Sequence, residues 1–221
     1  MLAAILPILQ DHRTGIDWWS FGGGTALAVQ IDHRISYDID IFLDSSKDLR
    51  ALTPNANPQV KALLNGLLYE YHGNYLKLSQ PGGEIDIIVA PPQTDTPYKN
   101  WNFRGNEIQV ETAIEIMAKK IFYRPSTFKI RDLFDLAAVI DEGYGEELLQ
   151  AIAVFNDKLV LVRNRIAVLK SIYAERAPMD VNPTEKGLKW LDVDNVIPLV
   201  HDFLAGCSLN SVQESKLDLT P

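Results

Sequence analysis

Residues 21–42 read FGGGTALAVQIDHRISYDIDIF, and how this stretch is read decides the fold. Three glycines close a turn, a short apolar segment follows, then a basic-polar linker, then two aspartates in a β-rich run. Asp38 and Asp40 stand two apart among Tyr37, Ile39, Ile41 and Phe42. Period two is the repeat of a strand, so a strand over 37–43 is expected with both carboxylates on one face. Like charges roughly 6–7 Å apart on a strand are poorly placed unless a cation lies between them. The pair therefore reads as a Mg²⁺ ligand set.

Upstream, residues 1–13 read as a helix burying Leu2, Ile5, Leu6 and Leu9, and Ile16–Phe21 (IDWWSF) as a short strand. Gly22-Gly23-Gly24-Thr25 then joins a strand to a helix over 25–31. Backbone N–H groups and the helix dipole favour an anion at such a turn. The turn is neither a Walker loop nor a G-x-G-x-x-G fingerprint, so a purely structural turn is the competing reading. His33 reads as a metal ligand or, lacking partner histidines, as a loop hydrogen bonder. Arg34 reads as a triphosphate contact or as the partner of a carboxylate.

Downstream, residues 44–58 read as a turn-rich loop opening with a short helix, and 59–68 as a helix. Residues 75–78 and 84–89 flank Gln80-Pro81-Gly82-Gly83, which predicts a hairpin. Its second arm, EIDIIVAP, places Asp86 in an apolar strand, as a third carboxylate beside Asp38 and Asp40 or as an edge acid facing water. Residues 91–106 are rich in proline and polar residues and read as a connecting loop. From Glu111 the apolar period lengthens to about 3.6, predicting helices near 112–124, 128–142, 145–155, 157–175 and 185–205. Pro178 and Pro183 bracket a loop before the last helix, and the polar stretch 208–221 is expected to fray. In EIMAKKIFYR, Ile116, Met117 and Ile121 form the expected buried stripe beside Lys120. Asp132 and Asp135, three apart in RDLFDL, share a helix face, a pattern also typical of a helix salt bridge.

With 221 residues, 47% hydrophobic and 23% charged, the chain has the balance of an ordinary globular protein. Its one cysteine, Cys207, excludes an internal disulfide and suits a reducing cytoplasm. No apolar run reaches the length of a membrane span, and the opening MLAAILPILQ reads as a core helix, not a signal peptide. The net charge of −8 argues against broad wrapping around nucleic acid. Yet Lys119, Lys120, Arg124, Lys129 and Arg131 follow one another with no acid between them, as a basic face for a polyanion or an ordinary solvated helix face.

GGTAL, H-R-x-S-x-D-I-D-I-F, E-I-M-A-x-K and R-D-L-F-D-L, in this order over roughly residues 18–140, resemble the AbiEii/AbiGii toxin family of the nucleotidyltransferase superfamily, and also the MenT toxins. The resemblance implies an α+β fold, a nucleotidyltransferase-type mixed sheet with flanking helices followed by a helical C-terminal part. Residues 1–106 would form the α/β core, and 107–221 a helical domain completing the active site. It implies that Gly23, Gly24 and Thr25 hold the β- and γ-phosphates, with Arg34 and Ser36 near them. Asp38 and Asp40 would bind metal, joined by Asp86. Lys120 would contact nucleotide phosphate, and Asp135 would be the distal aspartate of the helical motif.

The reaction so implied moves NMP from an NTP to an acceptor hydroxyl, with two Mg²⁺ ions and release of pyrophosphate. Family analogy points to the 3′ end of tRNA as acceptor, to growth arrest as outcome, and to a cognate antitoxin as protein partner. A small-molecule or protein acceptor, or a non-catalytic module on the same fold, are the alternatives. Fold alone does not choose among them.

Overall fold

The computed structural model describes the backbone of residues 1–217 and the side chains of residues 1–206. The described chain forms two compact units. The first comprises residues 1–29, 36–92 and 96–112; the second comprises 30–35, 93–95 and 113 onward. The division falls at Thr112/Ala113, and two short segments of the N-terminal half belong to the helical unit.

The first unit is built on a seven-stranded mixed sheet. Its elements are α1 (Leu2–His12), β1 (Trp19–Gly22), α2 (Gly23–Ile31, whose last two residues belong to the second unit), β2 (Ile39–Leu43), α3 (Ser46–Ala51), α4 (Pro58–Leu64), β3 (Tyr69–Tyr71), β4 (Tyr75–Gln80), β5 (Gly83–Val89), β6 (Tyr98–Phe103) and β7 (Asn106–Glu111). The strand order is β3-β4-β5-β2-β1-β7-β6. β1 runs antiparallel to β2 and parallel to β7, and β2 runs parallel to β5.

Register divides the sheet into two unlike faces, because residues paired across strands share a face. Leu76, Ile87, Ile41, Phe21 and Val110 are paired in one line across five strands, and all five are buried. α3 packs on β2 and β5, and α4 packs on β4 and α1. The neighbouring line is polar: Lys77 pairs with Asp86, Asp86 with Asp40, and Asp40 with Gly22. The alternation legible in DIDIF is thus real from Ile39 onward.

Several boundaries differ from expectation. β2 begins at Ile39, so Asp38 lies just before the strand. β1 begins at Trp19, leaving Ile16 to Trp18 outside it. α4 ends at Leu64, short of the expected 68, because Asn65 and Gly66 take left-handed conformations (φ 48° and 82°), and β3 follows in a stretch for which no element was expected. The expected loop 91–106 instead contains β6 and leads into β7. The hairpin turns through Arg104 and Gly105, both left-handed (φ 53° and 82°), the conformation of a type I′ turn. β6 borders β7 alone, and its YKNWNF sequence lacks the aliphatic alternation of a two-sided strand.

The second unit is helical: α5 (Ala113–Tyr123), α6 (Ile130–Val139), α7 (Gly145–Ile152), α8 (Asn156–Lys170), α9 (Tyr173–Asp180) and α10 (Val193–Leu217). Short 3-10 turns cover Pro125–Thr127 and Glu185–Leu191. Ile116, Met117 and Ile121 are buried as expected. The expected helix 157–175 breaks at Ser171–Ile172 into α8 and α9. Pro178 lies inside α9 and does not open a loop, and a 3-10 turn precedes α10. α10 continues through Ser208 to Leu217 where fraying was expected, and residues 218–221 of that stretch lie outside the described residues. Among the described residues, no helix is long and apolar enough to cross a membrane.

Residues 30–35 are bound into this unit by backbone. The Ile35 N–H donates to the Asn182 carbonyl (2.8 Å), and the Thr184 N–H donates to the His33 carbonyl (3.2 Å). Residues 93–95 are held by Glu115, which accepts from the Gln93 N–H (3.0 and 3.1 Å) and the Thr94 hydroxyl (2.7 Å).

Candidate active site

In the first unit, the β1–α2 turn is shaped by what its glycines leave out. Gly23 has φ +66°, and a Cβ there would stand 1.9 Å from Asp40 Oδ2. A side chain at Gly22 would stand 2.2 Å from Glu111 Oε2. The backbone thus passes between two carboxylates at a closeness that only glycine permits. Thr25, two residues into α2, donates its hydroxyl to Ser36 Oγ at 2.9 Å, which joins two residues assigned by resemblance to the phosphates.

Asp40 and Asp86 are paired across the parallel strands β2 and β5. Burial and the neighbouring Asp40 charge push the Asp86 carboxyl up to about 6; Lys77 opposes this, while Glu84 and Asp38 add to it. Lys77 itself is engaged by Glu84 at 2.5 Å, and the Tyr75 hydroxyl lies 3.5 Å from Asp86 Oδ1. Asp38 is half-buried, and its Oδ1 accepts the Glu84 N–H at 3.1 Å. Asp38 meets the N–H at the start of β5 while Asp40 stands against Gly23, and the charges of both act on Asp86. Among the described residues, no three His, Cys, Asp or Glu side chains are gathered closely enough to hold a metal by themselves. The donor chemistry nevertheless fits Mg²⁺, which binds through one or two carboxylates and completes its shell with water and substrate phosphate. Two crowded carboxylates, one with its proton affinity raised, are what such a cation relieves.

In the second unit, α5 and α6 assemble a buried ion cluster. Asp135 is fully buried and accepts Arg34 in a two-pronged contact (Nε 2.6 Å, Nη2 3.0 Å), His33 Nε2 at 2.7 Å, and the Lys120 ammonium. Burial alone would raise its carboxyl, but Lys120, Arg34 and the His33 hydrogen bond hold it well below the usual carboxylate range. Asp132, equally buried, takes Lys120 at 3.2 Å and Arg124 at 2.6 Å, and caps α6 by accepting the Lys129 N–H. The RDxxD pattern is therefore a salt-bridge motif turned inward, with both aspartates on Lys120.

The structure brings Asp40, Asp86 and Gly23 together, Thr25 with Ser36, and Lys120 with Arg34 and Asp135. Gly24 follows Gly23 in the first turn of α2. Arg34 and His33 both meet the Asp135 carboxylate. The basic run 119–131 is not a surface face. Lys119 and Lys120 are buried at 5% and 7% exposure, paired with Glu115 and with Asp132 and Asp135. Arg124 is committed to Asp132, and only Lys129 and Arg131 are exposed. Glu111 and Asp132, which the structure buries beside these groups, were given no role in the sequence reading. Ser20 and Glu111 meet across ninety-one positions of sequence, and no local spacing announces that.

A family model described as nucleotidyl transferase AbiEii toxin, type IV TA system, matches residues 8–167. The chain belongs to this family. As an AbiEii protein it is a nucleotidyltransferase of a toxin–antitoxin family, which implies an NTP substrate and an antitoxin partner. The description does not specify a MenT-like subtype. Among solved structures, JHP933 from Helicobacter pylori is similar at 14% identity and a TM-score of 0.47, covering 98% of this chain and 95% of that one. A candidate nucleotidyltransferase from H. pylori is similar at 16% identity and a TM-score of 0.44, covering 92% and 94%. No curated protein matches the AbiEii chain.

Proposed function

We propose that this AbiEii protein transfers NMP from an Mg²⁺-bound NTP to the 3′-hydroxyl of tRNA in the cytoplasm, releasing pyrophosphate, under control of a cognate antitoxin. The observation that carries this reading is the line Asp86–Asp40–Gly22, in which paired carboxylates abut a glycine turn at a helix start. In the reaction the acceptor oxygen bonds to the α-phosphorus as the bond to the β-phosphate oxygen breaks. Such transfer depends on positioning and charge neutralisation more than on covalent help. Asp38 and Asp40 would hold the metal, joined by Asp86. Bound Mg²⁺ supplies charge neutralisation at the reacting oxygens. The backbone of Gly23 and Gly24 with Thr25 and Ser36 would fix the leaving pyrophosphate. Lys120 and Arg34 would carry positive charge for nucleotide phosphate, and Asp135 would orient both. Support for those roles is the direct contact of Asp135 with both cations.

The test is transfer of α-labelled NTPs, one base at a time, to total tRNA with Mg²⁺, comparing wild type with Asp40→Ala and Lys120→Ala. Label on tRNA that is lost in both variants is the expected result. Mg²⁺–NTP binding without RNA label would move the acceptor to a small molecule or protein. Absence of NTP binding would overturn the catalytic reading altogether.

A further inference from the structure

Glu111 ends β7 and is completely buried, an unusual state for a glutamate. It is not among the residues to which family resemblance gives a role. Its Oε1 accepts the Ser20 hydroxyl of β1 at 3.1 Å. A Cβ on Gly22 would stand 2.2 Å from Glu111 Oε2 and 2.6 Å from Cδ, so the carboxylate lies directly against the Gly22 α-carbon. Beside it, Gly23 meets Asp40 in the same way from the opposite strand, with 1.9 Å to Oδ2 and 2.4 Å to Cγ. β7 and β2 are the two strands that flank β1. Each of two successive glycines thus receives one carboxylate, and each carboxylate comes from a different flanking strand.

We infer that Glu111 is a positioning residue for the phosphate-holding turn. Together with Asp40 it clamps Gly22-Gly23 from both sides and sets the height of the turn against the metal-binding carboxylates. The inference rests on the proposed role of the turn in holding nucleotide phosphate. A glutamate serving packing alone could be replaced by an apolar residue without its burial cost. Here its shape and its acceptor atom together fix Ser20 and Gly22, one on each side of Phe21.

Three properties are measured for the full-length protein: thermal stability, direct binding of Mg²⁺–NTP by calorimetry, and KM and kcat for NTP. Glu111→Gln keeps the volume and an acceptor for Ser20, and is expected to bind NTP within about threefold of wild type. Glu111→Ala is expected to raise both the dissociation constant and KM about tenfold, with kcat per folded molecule little changed. Ser20→Ala should move the same constants in the same direction by less. In Gly22→Ala, which meets the Glu111 carboxylate, NTP binding should be lost and then partly restored by adding Glu111→Ala. Should Glu111→Ala lower stability and kcat while folded protein binds NTP as wild type does, the inference is overturned and Glu111 is packing only. If wild type itself does not bind Mg²⁺–NTP, the functional reading fails first, which separates the two outcomes.

Discussion

At Gly23 two constraints coincide: a left-handed backbone and a Cβ position 1.9 Å from Asp40 Oδ2. Gly23→Ala would add about 1–2 kcal/mol of backbone strain, and its methyl group would displace the Asp40 carboxylate. Misplacement of a reacting group by an ångström costs about 10²-fold in rate, and a steady-state assay of nucleotidyl transfer should show a loss of that order. Asp86 gives a pH signature in metal-free protein. Its folded value of about 6 exceeds the ordinary 3.8, so between these values the folded state holds more protons than the unfolded state. Stability therefore falls as pH rises from about 4 to about 6 and stays lower above that. After allowance for solvent screening of this partly exposed group, the effect is about 1–2 kcal/mol. In EDTA, Asp86→Asn should unfold at higher denaturant than wild type at pH 7.5 and show no such gain at pH 4. An equal gain at both pH values would rule out the carboxylate charge as its source.

The clearest patterns belonged to elements with one buried and one more open face. Ile39, Ile41 and Leu43 alternate with Asp40 and Phe42, and Ile116, Met117 and Ile121 recur at helical spacing, so both elements could be placed from periodicity alone. β6 could not, because its one free flank relaxes the demand for aliphatic residues and because Pro91, Pro92 and Pro97 disguise the approach to it. The Arg104-Gly105 turn was the signal available. Asp40 and Lys120 were singled out through their local motifs. The Lys120–Asp135–Arg34 cluster needed long-range contact, since Arg34 and Asp135 are 101 residues apart. That cluster ties α5 to α6. Asp135→Asn would leave Arg34 and Lys120 buried without their full countercharge, a loss of about 3–5 kcal/mol, measurable as a lower denaturant midpoint. Because the folded Asp135 carboxyl is held below its ordinary value, it contributes stability above pH 3.8 that is lost as pH falls toward the folded value. The acid limb of the wild-type stability curve should accordingly be shallower in Asp135→Asn. Parallel acid limbs would show that Asp135 does not supply this term.

At the scale of the whole molecule, the question is how a chain of net charge −8 would engage an RNA end. The five basic residues between 119 and 131 look in sequence like a phosphate-binding face, but three of them neutralise Glu115, Asp132 and Asp135. A cation already paired with a buried carboxylate releases few counterions when RNA arrives. Lys129 and Arg131 alone are exposed in this run, so contact through it would engage about two phosphates. The logarithm of tRNA affinity should then fall with the logarithm of salt concentration at a slope of about −1.4, where five phosphate contacts would give about −3.5. Substituting Lys129 and Arg131 together with alanine should bring the slope close to zero, with NTP binding unchanged. A slope near −3.5 that survives this double substitution would place the RNA contact on basic residues outside 119–131. A shallow slope abolished by it would mean that acceptor choice depends on shape and stacking more than on charge, as expected for a single-stranded end read by an acidic protein.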